Sequence, residues 1–273
     1  MKRFLEIILG VSLIVALAML FVWIFNDGKN EQKKEVDTAV SEDIEKEETI
    51  ESTSEDSNSE YKIVIDAGHQ GSPSLEKEPI GPGASETKPK VAAGTKGVST
   101  GVYEYELTLE ISLQLRDELE SRGYQVIMIR ESNDVDISNS ERAQIANEAN
   151  ADAFIRIHAN GSENSADTGA MTICQTMDNP YNGAIYQQCY DLSECVLDSY
   201  VDSTGCNREY VWETDTMSGI NWCQVPVTIV EMGYMTNPDE DEIMQTPEYQ
   251  EKIVQGIANG IDDYFEKENE NGD

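Results

Sequence analysis

The stretch Tyr61-Lys62-Ile63-Val64-Ile65-Asp66-Ala67-Gly68-His69 opens the part of the chain that can fold. Its apolar run is rich in β-branched residues and stops at an alanine and a glycine, a pattern typical of a buried β-strand. Beyond it, helical patterns and short apolar runs alternate as far as residue 265. Strands that alternate with helices predict an α/β domain whose mainly parallel, twisted sheet is covered by helices on both faces.

The helix after the first strand is predicted from its periodicity. Four apolar residues recur every four positions, which places them on one face of a helix. They are Leu107, Ile111, Leu115 and Leu119. Residues 72–100, which precede this helix, are rich in Gly, Pro, Ser and Thr and are predicted to be a loop. Loops of this length in compact domains are usually functional or mobile, and this one follows His69 closely.

The alternation of helix and strand continues to the end of the domain. Ser138 and Glu141 have the spacing of a capping box and predict a helix that extends to Asn150. Further strands are predicted over residues 124–130, 153–157, 170–176 and 225–230, and further helices over residues 186–200 and 247–265. About two hundred residues arranged in this way suit a single domain.

The N-terminal segment, residues 1–25, is predicted to be a transmembrane anchor. Lys2 and Arg3 precede a nearly unbroken apolar run over residues 7–25, and about twenty apolar residues cross a bilayer core of about 30 Å. The basic pair keeps the N-terminus inside, which places the rest of the chain outside the cell. A cleaved signal peptide, and hence a secreted protein, is the alternative, although the bulky aromatic residues that end the run do not suit a cleavage site.

Residues 26–60 are predicted to form a disordered acidic stalk, because they contain almost no large apolar residues. A catalytic domain over residues 61–267 and an acidic tail over residues 268–273 are predicted to follow. The formal net charge of −34 and the pI near 4.1 exclude nucleic acid as a partner, because phosphate binding needs a basic face. The five cysteines include no Cys-x-x-Cys pair and do not predict a metal site.

The chain contains two histidines, His69 and His158, and each closely follows an apolar strand run. The carboxyl ends of parallel strands meet at one edge of a sheet, so the pair indicates either a shared site or two separate structural histidines. Catalytic zinc often takes two histidines and one carboxylate and keeps a fourth position open for water. Glu104, Glu106 and Glu110 are candidates for the third ligand, and spacing alone does not decide among them.

A further acid, Glu231, ends the apolar run over residues 227–230. An acid at the carboxyl end of a buried strand must be paired, bound to a metal or shifted in pKa. The position of Glu231 therefore indicates a functional site, and a structural salt bridge is the alternative.

Four motifs stand in order along the chain: Ile65-Asp66-Ala67-Gly68-His69, Glu104-Tyr105-Glu106-Leu107-Thr108-Leu109, Ile157-His158-Ala159-Asn160 and Val230-Glu231-Met232-Gly233-Tyr234-Met235-Thr236-Asn237. Together they resemble the zinc-dependent N-acetylmuramoyl-L-alanine amidases of the type 3 family, over about residues 62–265. The resemblance implies one zinc ion per chain, held by His69, Glu104 and His158, and it implies Glu231 as the catalytic glutamate. It selects Glu104 over Glu106 because the family pattern places the ligand five residues before Leu109.

The resemblance also implies the reaction. The expected substrate is peptidoglycan, and the expected bond joins the lactyl group of N-acetylmuramic acid to the first L-alanine of the stem peptide. In the implied mechanism, zinc activates a water, while Glu231 takes the water proton and returns it to the leaving amine. The alternatives are a zinc peptidase or deacetylase that acts on a cell-wall substrate, and a non-catalytic wall-binding domain.

Two features depart from the family pattern. Residues 72–100 form a longer segment than the shortest members have, and Arg156 stands where a small residue is frequent. Neither departure removes a matched ligand, and both bear on substrate preference.

Overall fold

The computed structural model describes residues 61–272, so the predicted anchor over residues 1–25 and the predicted stalk over residues 26–60 lie outside the described residues. Within residues 61–272, the strands β1 to β8 are Lys62–Ala67, Ser74–Pro79, Thr87–Val91, Gln125–Met128, Ala153–Asn160, Ala170–Cys174, Arg208–Glu213 and Val227–Tyr234. In the same range, the helices α1 to α6 are Glu104–Ser121, Asn139–Ala149, Tyr186–Thr204, Ser218–Asn221, Pro238–Met244 and Pro247–Gly272. In this described part of the chain, no helix combines the length and the apolar character that a membrane span requires.

Six of the strands form one sheet in the order β4-β1-β5-β8-β6-β7. The neighbours β4, β1, β5 and β8 are parallel, whereas β6 runs antiparallel to β8 and parallel to β7. The predicted α/β fold with a mainly parallel sheet is confirmed. Parallel neighbours cannot be joined by tight hairpins, and the helical crossovers that join them also cover the sheet.

Helices cover both faces of the sheet because side chains alternate along each strand. On one face, Ile63 and Ile65 of β1 pack with the apolar stripes of α1, α3 and α6. On the other face, Val64 of β1 and Phe154 of β5 pack with α2 and α4. All four side chains are fully buried. The two-residue period of each strand therefore decides which side chain reaches which helical layer.

The helix boundaries follow from local sequence. The capping box predicted for α2 is present, since the Glu141 amide donates to Ser138 Oγ at 3.2 Å and the Ser138 amide donates to Glu141 Oε2 at 2.8 Å. Pro247 begins α6 as predicted, but this helix continues to Gly272 and does not end near residue 265. Its last turns are polar, so they lack the apolar period on which the prediction depends.

The structure contains strands that the residue pattern does not predict. Inside residues 72–100, the segment predicted to be a loop, β2 and β3 pair antiparallel as a separate hairpin. The strand β7 forms one edge of the large sheet. Strand β2 reads Ser-Leu-Glu-Lys-Glu-Pro and β3 reads Thr-Lys-Pro-Lys-Val, so neither shows the apolar alternation by which strands are recognised.

Candidate active site

Three segments bring His69, Glu104 and His158 together at the carboxyl end of the sheet. His69 follows β1 by two residues, Glu104 is the first residue of α1, and His158 lies near the end of β5. Glu104 Oε1 lies 3.0 Å from His69 Nε2 and 3.0 Å from His158 Nδ1. One ligand atom from each residue lies within 4.8 Å of the other two. We call these three residues the ligand cluster.

Backbone groups hold the side chains of the ligand cluster in place. His69 Nδ1 lies 3.0 Å from the carbonyl oxygen of Ala92. The amide of Thr95 donates to Glu104 Oε2 at 2.7 Å, and the amide of Ala159 donates to Glu104 Oε1 at 3.2 Å. A histidine that donates from one ring nitrogen to a carbonyl keeps a lone pair on the other nitrogen, as a metal ligand requires.

The backbone is folded tightly around the ligand cluster. His69 has a φ of 59°, a left-handed conformation that is uncommon outside glycine. A β-carbon at Gly68 would overlap the ring of His158, and one at Gly94, whose φ is 77°, would lie 2.9 Å from Glu104 Oε2. Side chains at these two positions would therefore displace members of the cluster.

Burial and interactions within the ligand cluster shift the pKa values of its three members. Burial acts to raise the pKa of Glu104, but hydrogen bonds with His158 and His69 outweigh burial and bring the pKa below its ordinary value. Burial acts to lower the pKa of His69, but the hydrogen bond with Glu104, the charge of Glu104 and the Ala92 carbonyl together outweigh burial and raise that pKa. Burial lowers the pKa of His158. An ionised carboxylate beside a neutral imidazole is the form of these groups that binds a metal.

Glu231 faces the ligand cluster from the neighbouring strand. Strand β8 pairs with β5 so that Glu231 lies opposite His158, and the register shifts directly after this pair. Both residues lie inside their strands, since β5 extends to Asn160 and β8 to Tyr234. Glu231 Oε2 is buried and has no hydrogen-bond partner within residues 61–272. Burial raises the pKa of Glu231 well above its ordinary value, and the charge of Glu104 raises it further.

The other acids considered as third ligand lie outside the cluster. Glu106 and Glu110 are exposed, whereas Glu104 is 3% exposed. Glu106 Oε2 instead accepts a hydrogen bond from the Tyr103 amide at 3.0 Å, at the start of α1. The pitch of the helix separates these acids, because residues two apart point in different directions.

A second buried group of charges, which we call the Asp66 network, lies beside the ligand cluster. Arg142 Nη1 donates to Asp66 Oδ1 at 2.6 Å, and Arg156 Nε donates to Asp66 Oδ2 at 2.9 Å. These three side chains are at most 4% exposed. Burial acts to raise the pKa of Asp66, but the two guanidinium groups outweigh it and lower the pKa to about 2. Arg142 Nη2 also donates to the carbonyl oxygen of His69 at 3.0 Å, so the network supports the cluster.

The Asp66 network was not predicted from the residue pattern. A signal for it exists, because Asp66 and Arg156 are charged residues inside apolar strand runs. The two residues are Cα partners in the pairing of β1 with β5. Opposite charges in two buried strands indicate an ion pair, once the register of those strands is known.

A cavity of about 600 Å³ opens over the ligand cluster. Arg156, Ile229 and Glu231 line it on the strands β5 and β8, and Lys88 lines it on the β2–β3 hairpin. The hairpin residue Glu78 is buried. Its carboxylate accepts hydrogen bonds from the hydroxyl groups of Ser140, at 2.6 Å, and Ser218, at 3.2 Å. These bonds fasten the hairpin to α2 and α4, so the segment predicted to be a loop forms a fixed wall of the cavity.

The residues present fit a zinc ion. Two imidazoles and one carboxylate form a ligand set typical of catalytic zinc. His158 Nε2 is buried without a hydrogen-bond partner within residues 61–272, and buried polar atoms normally have one. The five cysteines are free, and none of them belongs to the ligand cluster.

Comparison with known proteins identifies the family of this chain. The sequence model of the N-acetylmuramoyl-L-alanine amidase family matches residues 63–263. The germination-specific N-acetylmuramoyl-L-alanine amidase of Bacillus subtilis is 28% identical over 192 residues, covering 63% of this chain and 76% of that protein. The uncharacterized Bacillus subtilis protein YqiI is 29% identical over 205 residues, covering 75% of this chain and 85% of that protein.

Solved structures show the same fold. The N-acetylmuramyl-L-alanine amidase Ami1 of Mycobacterium smegmatis matches with a TM-score of 0.69 and 26% identity, covering 76% of this chain and 98% of that one. The Ami1 protein of Mycobacterium abscessus, in its apo form, gives the same values for TM-score and identity and covers 99% of that chain. Since the family match extends over most of the chain, this protein belongs to the N-acetylmuramoyl-L-alanine amidase family.

Proposed function

We propose that this protein is a peptidoglycan hydrolase that cleaves the amide bond between the lactyl group of N-acetylmuramic acid and the L-alanine of the stem peptide. One observation carries the proposal: a single cavity contains the ligand cluster and, beside it, a buried glutamate oxygen without a partner among the described residues. Membership of the amidase family supports the class of bond. The fixed hairpin wall and the sheet enclose a cleft of a size suited to a peptide.

In this proposal His69, Glu104 and His158 hold one zinc ion. When bound, zinc supplies Lewis acidity towards a carbonyl oxygen and lowers the pKa of water to about 7. The carboxylate of Glu104 supplies the negative charge, and the imidazoles supply neutral donor atoms.

Glu231 moves the proton. Its free Oε2 atom accepts a proton from the attacking water while the water oxygen forms a bond to the carbonyl carbon. When the bond between this carbon and the nitrogen breaks, the same oxygen gives the proton to the leaving amine of L-alanine. The products are a lactyl carboxylic acid and a free peptide amine, so atoms and protons balance. The raised pKa of Glu231 suits a group that both takes and returns a proton.

We also propose how the domain reaches its substrate. Residues 1–25 anchor the chain in the membrane, residues 26–60 form an acidic stalk, and residues 61–267 act outside the cell, followed by the tail over residues 268–273. The long apolar run after a basic pair supports the anchor. A cell-wall substrate supports an extracellular location, and a secreted form is the alternative.

Product analysis tests the proposed reaction. Purified peptidoglycan is digested with the enzyme, with and without a metal chelator, and the fragments are identified by mass spectrometry. The proposal expects stem peptides with a free N-terminal L-alanine, and it expects the chelator to abolish their release. Cuts within the stem would indicate a peptidase, released acetate would indicate a deacetylase, and intact peptidoglycan would indicate a binding domain. Each of these three results contradicts the proposed function.

Fractionation tests the proposed anchor. The full chain should stay with membranes after a high-salt wash, and its N-terminus should be retained. A soluble form that starts near residue 26 would overturn the anchor and establish a cleaved signal peptide.

A further inference from the structure

Arg156 has an unused hydrogen-bonding group at the cavity. It lines the cavity although its side chain is 4% exposed. Its Nε donates to Asp66, and its Nη2 donates to Asn139 Oδ1 at 2.7 Å. Within residues 61–272, no acceptor forms a hydrogen bond with Nη1. Buried arginines normally use their donors, so Nη1 is placed to receive an acceptor from a ligand.

The positive charge of Arg156 is also incompletely balanced. Asp66 is the one carboxylate in the Asp66 network, and it is shared between Arg142 and Arg156. The network therefore carries a net charge of about +1 in a buried place, and an uncompensated buried charge is costly. Lys88 lines the same cavity from the hairpin and adds a second positive charge. Three acids, Glu104, Glu163 and Glu231, also line the cavity, so an anionic group of a ligand is favoured at the guanidinium of Arg156 itself.

The helix α4 leaves room for the guanidinium group. A β-carbon at Gly219 would overlap Arg156 Nη1. Gly219 lies in a helical turn, so alanine would suit its backbone but would displace the guanidinium. The position of the guanidinium group therefore depends on the absence of a side chain at Gly219.

The spacing along β5 identifies which substrate group Arg156 can reach. Arg156 and His158 are two residues apart on one face of the strand, which corresponds to roughly 7 Å. In a stem peptide, the residue after L-alanine is D-glutamate joined through its side chain, and its α-carboxylate remains free. The amide nitrogen of D-glutamate lies one residue length, about 3.5 Å, from the scissile nitrogen, and its α-carboxylate oxygens lie about as far again, so they are roughly 7 Å from the scissile bond.

We propose that Arg156 binds the free α-carboxylate of the second stem residue, and that the enzyme therefore prefers stems with this carboxylate over stems in which it is amidated. The inference rests on the proposed amidase function. A guanidinium group forms strong, directional hydrogen bonds with a carboxylate and weaker ones with a neutral amide. Arg156 is thus a specificity residue within the same cavity as the ligand cluster.

The test compares two uncrosslinked peptidoglycan substrates that differ only in the second stem residue, which is D-glutamate or D-isoglutamine. The rate of stem-peptide release, measured over a range of substrate concentrations, gives kcat/KM for each substrate. The wild-type enzyme should favour the D-glutamate substrate by about 10- to 100-fold, mainly through KM, as expected for one charged hydrogen bond. Arg156→Met should bring the ratio close to one by slowing the D-glutamate substrate alone.

Gly219→Ala is the second variant, because it keeps every charge and displaces the guanidinium group of Arg156 from its place at the cavity. It should lower the ratio in the same direction as Arg156→Met. Arg208→Met is the matched control, since this arginine lies on the edge strand β7, is partly exposed and pairs with surface acids. Zinc content and thermal unfolding of each variant establish that it is folded and loaded with metal.

The outcomes separate the two proposals. No release of stem peptide from either substrate would contradict the proposed function. Equal kcat/KM for the two substrates in the wild-type enzyme would overturn the role of Arg156 while the amidase function stands. A wild-type preference that survives in folded Gly219→Ala, or that falls equally in Arg208→Met, would also overturn it.

Discussion

The ligand cluster and the Asp66 network are two buried groups of charges at the same end of the sheet, yet they differ in how far their polar atoms are satisfied. In the network, both oxygens of Asp66 accept hydrogen bonds from arginines. In the cluster His158 Nε2, and beside it Glu231 Oε2, are buried without partners in the described part of the chain. The single carboxylate of the network is thus fully used by its two arginines, whereas the cluster and Glu231 leave polar atoms without partners.

This difference indicates two kinds of contribution. A satisfied buried network stabilises the fold and orients its neighbours, and Arg142 does so through the carbonyl oxygen of His69. A partly satisfied group in a cavity indicates ligand binding or chemistry. Substitutions in the network should therefore change stability first, and substitutions in the cluster should change metal content and rate first.

The largest expected effect is on turnover. Glu231→Gln keeps the shape of the side chain but removes its ability to take a proton, so kcat should fall by about 10²- to 10⁴-fold. Zinc content should stay near one per chain, because Glu231 is not among the proposed ligands. Metal analysis and peptidoglycan digestion measure the two effects. Glu110→Gln, an exposed substitution on α1, is the control, and a zinc-free Glu231→Gln protein would overturn the division between Glu231 and the ligand cluster.

The next effect is on stability and concerns the network. Asp66→Asn leaves two buried guanidinium groups without a counter-charge, which should lower the free energy of unfolding by about 3–5 kcal/mol. Asp198→Asn removes one acid from a surface pair with Arg208 and should cost about 0–1 kcal/mol. Urea unfolding of both variants measures the contrast. Equal losses would show that the Asp66 network contributes no more than a surface pair.

The third prediction concerns the ligand cluster and the stability that bound zinc provides. Zinc at about 100 times its Kd should raise the free energy of unfolding of the wild-type domain by about 2.7 kcal/mol, because it binds the folded state. His69→Ala, Glu104→Ala and His158→Ala should lose this stabilisation together with activity. Thermal unfolding with zinc or with chelator measures it. Full zinc content and normal activity in Glu104→Ala would contradict the assignment of the third ligand.

The smallest expected effect is a pH dependence of the stability that the Asp66 network provides. The pKa of Asp66 is lowered from 3.8 to about 2 in the folded protein, so the contribution of Asp66 to stability is fully present above about pH 4. It is lost as the pH falls through about 2, and it amounts to about 2 kcal/mol. The difference in unfolding free energy between wild type and Asp66→Asn should therefore narrow between about pH 4 and pH 2. A constant difference over this range would indicate that Asp66 titrates normally.

Much of the fold is predictable because its elements carry local signals. The apolar stripe of α1, the capping box of α2 and the β-branched run of β1 each lie within one short segment. The hairpin β2–β3 carries no such signal, because its strands are rich in charged residues and proline. Glu78 fastens that hairpin through residues about 60 and 140 positions away along the chain, so no local pattern could reveal it.

The candidate site, like the fold, is predictable from local sequence only in part. The residue pattern places His69, His158 and Glu231 at the carboxyl ends of buried strands, and the structure brings all three to one cavity. Spacing alone leaves Glu104, Glu106 and Glu110 equivalent, and the resemblance to the amidases selects Glu104. Burial separates them physically, since only Glu104 of these three turns inward at the start of α1.

The sequence by itself determined the α/β layers and the residue types available for a metal site, because hydrophobic periodicity and strand ends are properties of neighbouring residues. The tertiary structure alone decided that Asp66 is shared by Arg142 and Arg156, and that the donor Nη1 of Arg156 lies against Gly219 in the cavity. These contacts join residues 63 to 90 positions apart along the chain. They depend on strand register and helix placement, which long-range packing sets and local sequence does not encode.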